Sequence, residues 1–379
     1  MNSFIEGLAP RRIVVFRALQ LGDMLCSVPA FRALRSAAPR AHIALIGLPW
    51  ARAFVERYPA LFDELILFPG APGFPEQPED DSALPAFVDA IRERRFDLAI
   101  QLHGSGGIAN DLVCSFQARA NAGFVQHDEI QRPGCFIEWP DTLPEPHRYL
   151  ALTNAMGAPA ESEALSFDLT VKDETEYTAL IAAHGIEPHR LVLVHPGAQL
   201  PSRRWPAARF AEVADTLADD GWQIAITGTA AEAQLTVSVL GLMTAPALHL
   251  AGSTSLGSLG ALVGRARLVV CNDTGISHIA AAMRTPSVIV ASGSDTQRWA
   301  PLDHERHRVV ADYPPCRPCS FRVCPYGHEC ALNVAVPQVV GAAREMLARD
   351  QHAHPAAPGK LHAQTDAILS FASEVRHVT

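Results

Sequence analysis

Short apolar runs of strand length alternate with helix-like segments along most of this chain. Such alternation is typical of repeated βα units, which wind right-handed into a parallel sheet covered by helices on both faces. In the first half the pattern predicts strands 12–16, 42–46, 64–68 and 97–102, separated by helices 24–37, 50–57 and 84–94. In the second half it predicts strands 191–194, 223–227, 268–271 and 287–290. The predicted fold class is therefore α/β, with two Rossmann-like, doubly wound domains facing a central cleft.

Between the two series, over about 126–166, prolines accumulate and the periodicity fades, which predicts an interdomain linker. We therefore divide the chain into an N-terminal domain (1–165) and a C-terminal domain (166–349). The remaining residues, 350–379, are predicted to form a His/Ala/Pro-rich spacer followed by a last helix over 360–375.

Composition excludes several classes of protein. With 379 residues and 48% hydrophobic content, the chain has enough apolar material for two cores. A net charge of -9 argues against a nucleic-acid binder that depends on a broad basic surface. No apolar run has the length of a signal peptide core at the start, or of a membrane span anywhere. We therefore expect a cytoplasmic protein with reduced cysteines.

A group of polar residues follows the predicted strand 268–271 and opens a helix of small residues. It contains Asp273, Thr274, Gly275 and His278. In open α/β sheets ligands bind at the carboxyl ends of strands, and helix N-termini there favour anions. Asp273 or Thr274 is expected to cap the helix, and Gly275 to let the backbone approach a ligand. An ordinary helix cap with a surface histidine explains this segment, taken alone, equally well.

The turn after the first strand carries a carboxylate, Asp23, directly behind Gly22. A carboxylate at this strand end is positioned for catalysis, although capping of the following helix is the simpler explanation. The two roles oppose each other, because a helix N-terminus lowers the pKa of a carboxyl group whereas a general base benefits from a raised one. Burial by Leu21, Met24 and Leu25 would have to offset the effect of the helix.

Two further turns in the second half fit a nucleotide ligand. Gly197 and Ala198 expose backbone N–H groups after strand 191–194, and the adjacent Arg203–Arg204 pair can neutralise a diphosphate. Glu232, after strand 223–227, can accept hydrogen bonds from ribose hydroxyls. Solvated surface charge is the alternative explanation for the arginine pair.

Half of the eight cysteines lie within fifteen residues. They are Cys316, Cys319, Cys324 and Cys330. In a reducing compartment such clustering favours a metal over disulfides, and four thiolates suit a structural zinc or iron in tetrahedral coordination. His328 is a substitute ligand, and free or redox-active thiols are the alternative.

Taken together, four motifs resemble the ADP-heptose:lipopolysaccharide heptosyltransferases, glycosyltransferase family nine, in their order along the chain. The motifs are Arg17 to Leu34, His195 to Pro206, Gly228 to Glu232 and Asp273 to His278. The resemblance covers about residues 12–345 and implies a GT-B architecture with a metal-independent inverting transfer that requires no cofactor. It also implies that the C-terminal domain binds the nucleotide sugar and the N-terminal domain the acceptor.

By this resemblance Asp23 is the general base, and Arg203 stands where the family usually has a phosphate-binding lysine. Asp273, Thr274, Gly275 and His278 would hold the diphosphate and heptose of the donor. The other implied donor contacts are Gly197 and Ala198 through their backbone, Ser202, Glu232 at the ribose, and Thr254 and Leu256 near the adenine.

The acceptor implied by the resemblance is a lipopolysaccharide inner core or another lipid-linked sugar, with transient contact to the inner-membrane surface. Its phosphates could meet arginines of the N-terminal half, although solvated charge explains most of these residues: Arg32, Arg35, Arg52 and Arg57. The cysteine segment resembles the iron-binding element of heptosyltransferases that modify autotransporter proteins, so a protein acceptor is an alternative. A GT-B epimerase and a metal-dependent redox or regulatory module are further alternatives.

Overall fold

The N-terminal half forms one parallel six-stranded sheet. The computed structural model describes residues 3–78, 82–129 and 132–350. The first sheet contains β1 (Arg12–Phe16), β2 (His42–Gly47), β3 (Glu64–Leu67), β4 (Leu98–Gln101), β5 (Ala120–Val125) and β6 (Cys135–Glu138). Their spatial order is β3-β2-β1-β4-β5-β6. The topological switch point of the sheet therefore lies between the parallel neighbours β1 and β4.

The C-terminal half repeats this arrangement in a second parallel sheet of six strands. Its strands are β7 (Leu191–His195), β8 (Gln223–Ile226), β9 (Leu248–His249), β10 (Leu268–Asn272), β11 (Ser287–Ala291) and β12 (His307–Ala311). Their order is β12-β11-β10-β7-β8-β9, and every residue of β7, β10 and β11 is buried. Burial on both faces is what helices on both sides of a parallel sheet produce.

Helices cover both sheets. Those of the N-terminal half are α1 (Phe4–Leu8), α2 (Leu21–Cys26), α3 (Val28–Ala37), α4 (Ala51–Arg57), α5 (Leu84–Glu93), α6 (Ile108–Ser115) and α7 (Glu145–Ala155). Those of the C-terminal half are α8 (Val171–His184), α9 (Ala207–Asp219), α10 (Ala233–Leu242), α11 (Leu256–Val263), α12 (Gly275–Met283), α13 (Thr296–Trp299), α14 (Glu329–Leu332) and α15 (Val336–Asp350). Within the described residues no helix is both long and apolar enough to cross a membrane.

The two-domain α/β fold predicted from the sequence is confirmed, and all eight predicted strands are present within about one residue of their expected ends. The predicted linker is wrong in part, because 126–166 contains β6 and α7. The irregular stretch is shorter, from the end of α7 to Thr170, and the boundary at 165/166 falls inside it. The predicted helix 24–37 is divided at Ser27 into α2 and α3. The predicted helix 360–375 lies outside the described residues.

One apolar cluster is continuous across the two halves of the molecule. It includes Met24 and Leu25 of α2 together with Ile276 and Ile279 of α12, all of them buried. The contact between the domains is therefore partly a shared core and not only a polar seam.

A buried ion pair adds a second connection between the halves. Arg57 of α4 binds the carboxylate of Asp173 in α8, and its guanidinium lies 4.1 Å from the ring centre of Phe167. Burial alone would raise the pKa of Asp173, but hydrogen bonds from Arg57 and from the backbone N–H of Thr170 outweigh it and lower the pKa. Asp173 is therefore a buried anion that depends on its partner.

Removing the cation of this pair is expected to destabilise the protein. Arg57→Met leaves the Asp173 carboxylate buried and uncompensated, which costs about 3–5 kcal/mol. Arg308→Met is the matched control, because its partner Glu345 is half exposed and such pairs contribute about 1 kcal/mol or less. Thermal unfolding should show a clearly lower midpoint for Arg57→Met. Equal midpoints for the two variants would contradict this account of the seam.

Candidate active site

The carboxyl ends of the two sheets meet where α2 packs against α12. The His278 imidazole lies against Gly22, so close that a Cβ at position 22 would be 2.7 Å from its Cδ2 atom. The same ring has its Nδ1 atom 3.5 Å from the sulfur of Cys26. Helix α2 carries Asp23, and α12 begins directly after Asp273. The fold thus brings two polar segments that are about 250 positions apart in the sequence together at the contact between α2 and α12.

Asp23 lies in the first turn of α2 and is half-buried. Burial raises the pKa of its carboxyl group, and Glu145 acts in the same direction, whereas Arg17, His278 and Arg298 lower it; the net result is a raised pKa. No hydrogen bond joins this carboxylate to another residue in the described part of the chain. Burial therefore outweighs the opposing influences, and Asp23 has the properties of an available base.

A fully buried arginine holds the turn that carries Asp23. Arg17, at the end of β1, donates through Nη2 to the carbonyl oxygen of Asp23 (2.6 Å) and to the hydroxyl of Tyr149 (3.0 Å). Its guanidinium lies 4.2 Å from the Tyr149 ring centre. Since both partners come from different elements, Arg17 fixes α2 relative to α7.

The start of α12 is open to a ligand. Thr274 occupies the N-cap position, but the predicted side-chain cap is not formed, because its hydroxyl accepts no hydrogen bond from the first turn. Its carbonyl oxygen accepts from the backbone N–H (2.9 Å) and the hydroxyl (2.7 Å) of Ser277. The Asp273 N–H donates to Val290 of β11 (3.1 Å), which ties the turn to the sheet. A helix N-terminus without a side-chain cap keeps its capacity to bind an anion.

His278 faces this opening as a neutral side chain. Burial lowers the pKa of the imidazole, and the carboxylates of Asp273, Asp23 and Glu145 act against that shift without cancelling it. The ring meets the edge of Trp299 with 6.1 Å between centres. A neutral imidazole has one N–H to donate and one nitrogen to accept, so it can bind a ligand hydroxyl or a phosphate oxygen.

The side chain of Asn272, at the end of β10, binds both ends of the loop that follows β7. Its side chain is fully buried, accepts from the backbone N–H of Trp205 (2.9 Å) and donates to the carbonyl oxygen of Pro196 (2.8 Å). The loop after β7 is therefore attached to the end of β10 by one amide. A shorter side chain at position 272 could not make both bonds.

The predicted ribose ligand, Glu232, lies over Gly197. A Cβ at position 197 would be 2.0 Å from the Glu232 Oε1 atom, so any larger residue there would displace this carboxylate. Glu232 accepts from the backbone N–H and the hydroxyl of Thr229, both at 2.9 Å. The neighbouring Ala198 is buried, and its carbonyl oxygen accepts from Arg204 Nε (2.8 Å). The turn that carries Glu232 is thus in direct contact with Gly197.

Ser202 and Arg203 both bind the cysteine-containing segment. The buried Ser202 hydroxyl donates to the carbonyl oxygen of Phe321. Arg203 donates to the carbonyl oxygens of Ser292 (3.2 Å) and Cys319. Ser202 is therefore engaged within the protein, whereas Arg203 is held in a fixed position beside the loop that follows β11.

Thr254 lies in the loop before α11, and Leu256 begins that helix. This loop runs beside the Glu232 turn, because a Cβ at Gly252 would be 3.3 Å from Ala230. Leu256 is the first residue of α11 and packs partly against the core, and Thr254 is half-buried. The segment that carries both residues therefore begins beside the turn that contains Glu232.

The structure does not support the predicted metal site at Cys316, Cys319, Cys324 and Cys330. Within residues 3–78, 82–129 and 132–350, no three His, Cys, Asp or Glu side chains lie close enough together to hold a metal ion. Separate interactions position the sulfurs: Cys319 lies against Gly293, Cys324 accepts the N–H of Tyr326 (3.4 Å), and Cys330 is buried in α14. The residues as arranged do not fit a tetrahedral ion. The segment instead supports the loop that carries Ser202 and Arg203.

The arginines considered for acceptor phosphates are mostly engaged within the fold. Arg32 donates to the hydroxyl of Ser166 (3.1 Å), Arg35 pairs with Asp63, and Arg57 is buried. These three side chains therefore stabilise the domain. Their intramolecular partners account for their positions.

Sequence reasoning missed Glu145, Tyr149 and Arg298, which surround Asp23 from other elements. The first two lie in the segment interpreted as a linker, where Pro144-Glu145-Pro146 is a helix-start signal: proline in the first turn with an acidic residue beside it. No local signal distinguishes Arg298 from other surface arginines, because its role depends on contact between the domains.

Two Rossmann-like domains, with the Asp23 carboxylate and an uncapped helix N-terminus at the contact between them, are the arrangement expected of a GT-B enzyme. The family model for glycosyltransferase family 9 (heptosyltransferase) matches residues 84–329. The chain belongs to glycosyltransferase family 9 and is a glycosyltransferase. Membership in the family decides against the epimerase and the regulatory module.

Relatives and solved structures agree with this assignment. Lipopolysaccharide heptosyltransferase 2 of Escherichia coli K12 is 26% identical over 321 residues, which cover 80% of this chain and 89% of the relative. A family 9 glycosyltransferase from Veillonella parvula superposes with a TM-score of 0.77 at 22% identity, covering 92% of this chain and 99% of the other. The E. coli ADP-heptose lps heptosyltransferase II gives 0.69 at 20% identity, covering 90% and 99%. These structures share the GT-B fold.

A methyl group at Gly22 is expected to disturb the contact between α2 and α12. Alanine within a helix normally gains about 1 kcal/mol over glycine. At position 22 the new Cβ would be 2.7 Å from His278, and such overpacking costs about 1–3 kcal/mol. Gly275→Ala, on the facing helix, is the matched control, because its Cβ would lie an ordinary 3.5 Å from Leu21.

Thermal unfolding of the two variants tests this contact. We expect a lower midpoint for Gly22→Ala and an unchanged or higher one for Gly275→Ala. A rise of similar size in both variants would show that α2 and α12 are not in tight contact.

Proposed function

We propose that this chain is an inverting heptosyltransferase that transfers heptose from ADP-heptose to a lipopolysaccharide inner-core acceptor, with Asp23 as the general base. The observation that carries the proposal is the Asp23 carboxylate, which has a raised pKa, no hydrogen-bonded partner in the described chain, and a position opposite the uncapped start of α12. Family membership and the names of the E. coli relatives support the donor and the acceptor class.

The donor diphosphate is proposed to bind at the N-terminus of α12. Backbone N–H groups of Thr274 and Gly275 and the helix dipole favour its negative charge, and the neutral His278 side chain can donate a hydrogen bond to it. Arg203 supplies a fixed positive charge on the other side. These groups stabilise the ADP anion as it leaves, so the chemistry needs no strong acid.

The nucleoside is proposed to lie along the Glu232 turn. The Glu232 carboxylate keeps acceptor capacity for ribose hydroxyls beyond its bonds to Thr229. Gly197 and Ala198 line the adjacent backbone, and Thr254 and Leu256 are the nearest candidates for the adenine. Asp273 is proposed to contact the sugar, since it is adjacent to the start of α12. Ser202 acts indirectly in this scheme, because its hydroxyl is used by Phe321.

In the proposed reaction an acceptor hydroxyl attacks the anomeric carbon of the heptose. Asp23 takes the hydroxyl proton as the new C–O bond forms, and the bond between the anomeric carbon and the diphosphate oxygen breaks on the opposite face. The configuration at the anomeric carbon is inverted, and ADP departs with the bonding electron pair. A carboxylate with a raised pKa is suited to this proton transfer near neutral pH.

The acceptor is proposed to bind the N-terminal domain, 1–165, facing the donor domain, 166–349. A lipid-linked acceptor requires that this domain reach the surface of the inner membrane from the cytoplasm. The curated relatives act on lipopolysaccharide or lipooligosaccharide by their names, which favours this class over a protein acceptor.

Replacing Asp23 by asparagine tests the proposal. With ADP-heptose and a lipopolysaccharide acceptor that lacks the heptose, we expect Asp23→Asn to reduce acceptor-dependent ADP release by about 100-fold or more. Binding of ADP should remain near normal, because the amide keeps the shape of the carboxylate. Asp89→Asn, at an exposed carboxylate of α5, is the control and should leave ADP release unchanged.

Three outcomes would contradict the proposal. Near-normal turnover by Asp23→Asn would remove Asp23 from the mechanism. ADP release at full rate without any acceptor would indicate a different reaction. Transfer to a protein but not to the lipopolysaccharide acceptor would replace the acceptor class.

A further inference from the structure

A buried carboxylate behind Asp23 is shared by the two domains. Glu145, the first residue of α7, has no solvent exposure. It accepts hydrogen bonds from the hydroxyl of Tyr149 and from Arg298, whose Nη2 atom lies 3.0 Å from Oε1 and whose Nε contacts Oε2. Tyr149 belongs to the N-terminal domain and Arg298 to α13 of the C-terminal domain. The ion pair therefore exists only while the domains are in contact.

Arg298 is the partner that keeps Glu145 ionised. Burial raises the pKa of Glu145, but the hydrogen bond and the charge of Arg298, with help from Arg17 and Tyr149, outweigh it and lower the pKa. In the described part of its own domain, the nearest cation to Glu145 makes a looser contact, 3.7 Å from Arg148 Nε. A buried carboxylate that loses its main cation is strongly destabilised.

The Arg298 side chain is held in a fixed position from both sides. Its guanidinium lies 4.5 Å from the ring centre of Trp299 in its own domain and 5.7 Å from that of Trp139 in the other. The backbone at the start of α13 is capped by Asp295, which accepts from the N–H groups of Gln297 (3.0 Å) and Arg298 (3.3 Å). The Arg298 guanidinium is therefore preorganised, unlike a flexible surface charge.

We propose that Glu145 and Arg298 are a positioning pair that joins contact between the domains to activation of Asp23. The inference rests on the proposed role of Asp23 as general base. When the pair forms, the charge of Glu145 is balanced and Asp23 can accept a proton at neutral pH. Without Arg298, the carboxylates of Glu145 and Asp23 compete for one proton, so a smaller fraction of Asp23 is ionised at neutral pH.

The side chains with the largest electrostatic effect on Asp23 are Arg17, Glu145, His278 and Arg298. Cys26 and Tyr149 also interact with it, but burial raises the pKa of both, so they are neutral. Arg17 lies on the same domain as Asp23 and is unchanged by the variants below. His278 is buried and neutral, with a lowered pKa. The charges that the variants below remove are therefore that of Glu145, which raises the pKa of Asp23, and that of Arg298, which lowers it.

The pH dependence of kcat/KM for heptose transfer separates this role from simple stabilisation of the fold. Arg298→Met removes a positive charge, so the pKa of Asp23 rises and the acid limb of the profile should move to higher pH. Glu145→Gln removes a negative charge, so the acid limb should move to lower pH. The double variant should return close to the wild-type position. A purely structural pair would reduce the rate in both single variants without moving the limb.

Two controls keep the test decisive with the full-length enzyme. Arg298→Lys preserves the charge and should keep the wild-type profile even if Arg298→Met folds poorly. Arg344→Met removes an exposed arginine that pairs with Asp220 far from α2, and should leave rate and profile unchanged. ADP binding and thermal unfolding report whether each variant is folded.

Failure of this inference is distinguishable from failure of the proposed function. If the wild-type enzyme has an acid limb that disappears with Asp23→Asn, Asp23 is the base. Unmoved limbs in Arg298→Met and Glu145→Gln would then overturn the pair alone. A shift of both variants in the same direction would overturn it equally.

Discussion

The architecture of the site depends on the packing of α2 against α12, where the His278 ring occupies the space that a side chain at Gly22 would need. This contact brings the carboxyl ends of the two sheets together and extends one apolar core through both domains. It contributes to the burial of Asp23 and places the start of α12 next to Leu21, at the start of α2. Without this close approach the two polar segments would be unrelated surface turns on separate domains.

Burial at this seam sets the protonation of the groups around it. It raises the pKa of Asp23 and lowers that of His278, so that each side chain is moved toward the form useful for proton transfer and ligand binding. The same burial raises the pKa of Glu145, and Arg298 from the other domain outweighs this effect. Domain contact, desolvation and charge balance are therefore one arrangement, and the proposed chemistry of the site follows from all three.

The sequence predicts the features that local patterns determine. The apolar runs of β1, β7 and β10 and the polar turns after them carry most of the information, because parallel strands are continuous and buried, and ligands bind at their ends. Sequence reasoning missed β5, β6, β9 and β12, of which the last three are partly exposed edge strands. It also missed α7, whose buried face is rich in polar residues. The cysteine spacing predicted a metal, but spacing does not determine how the sulfurs are oriented. The role of Arg298 could not be predicted, because its partner Glu145 is 153 positions away in the sequence.

The proposed function requires that the C-terminal domain bind an adenine nucleotide. Ligands that bind only the folded protein raise its unfolding midpoint according to their affinity, so ADP, UDP and GDP can be compared at equal concentrations. We predict that ADP gives the largest rise and that ADP-heptose gives at least as much. An equal response to all three nucleotides, or a preference for UDP or GDP, would contradict the proposal that this chain uses ADP-heptose.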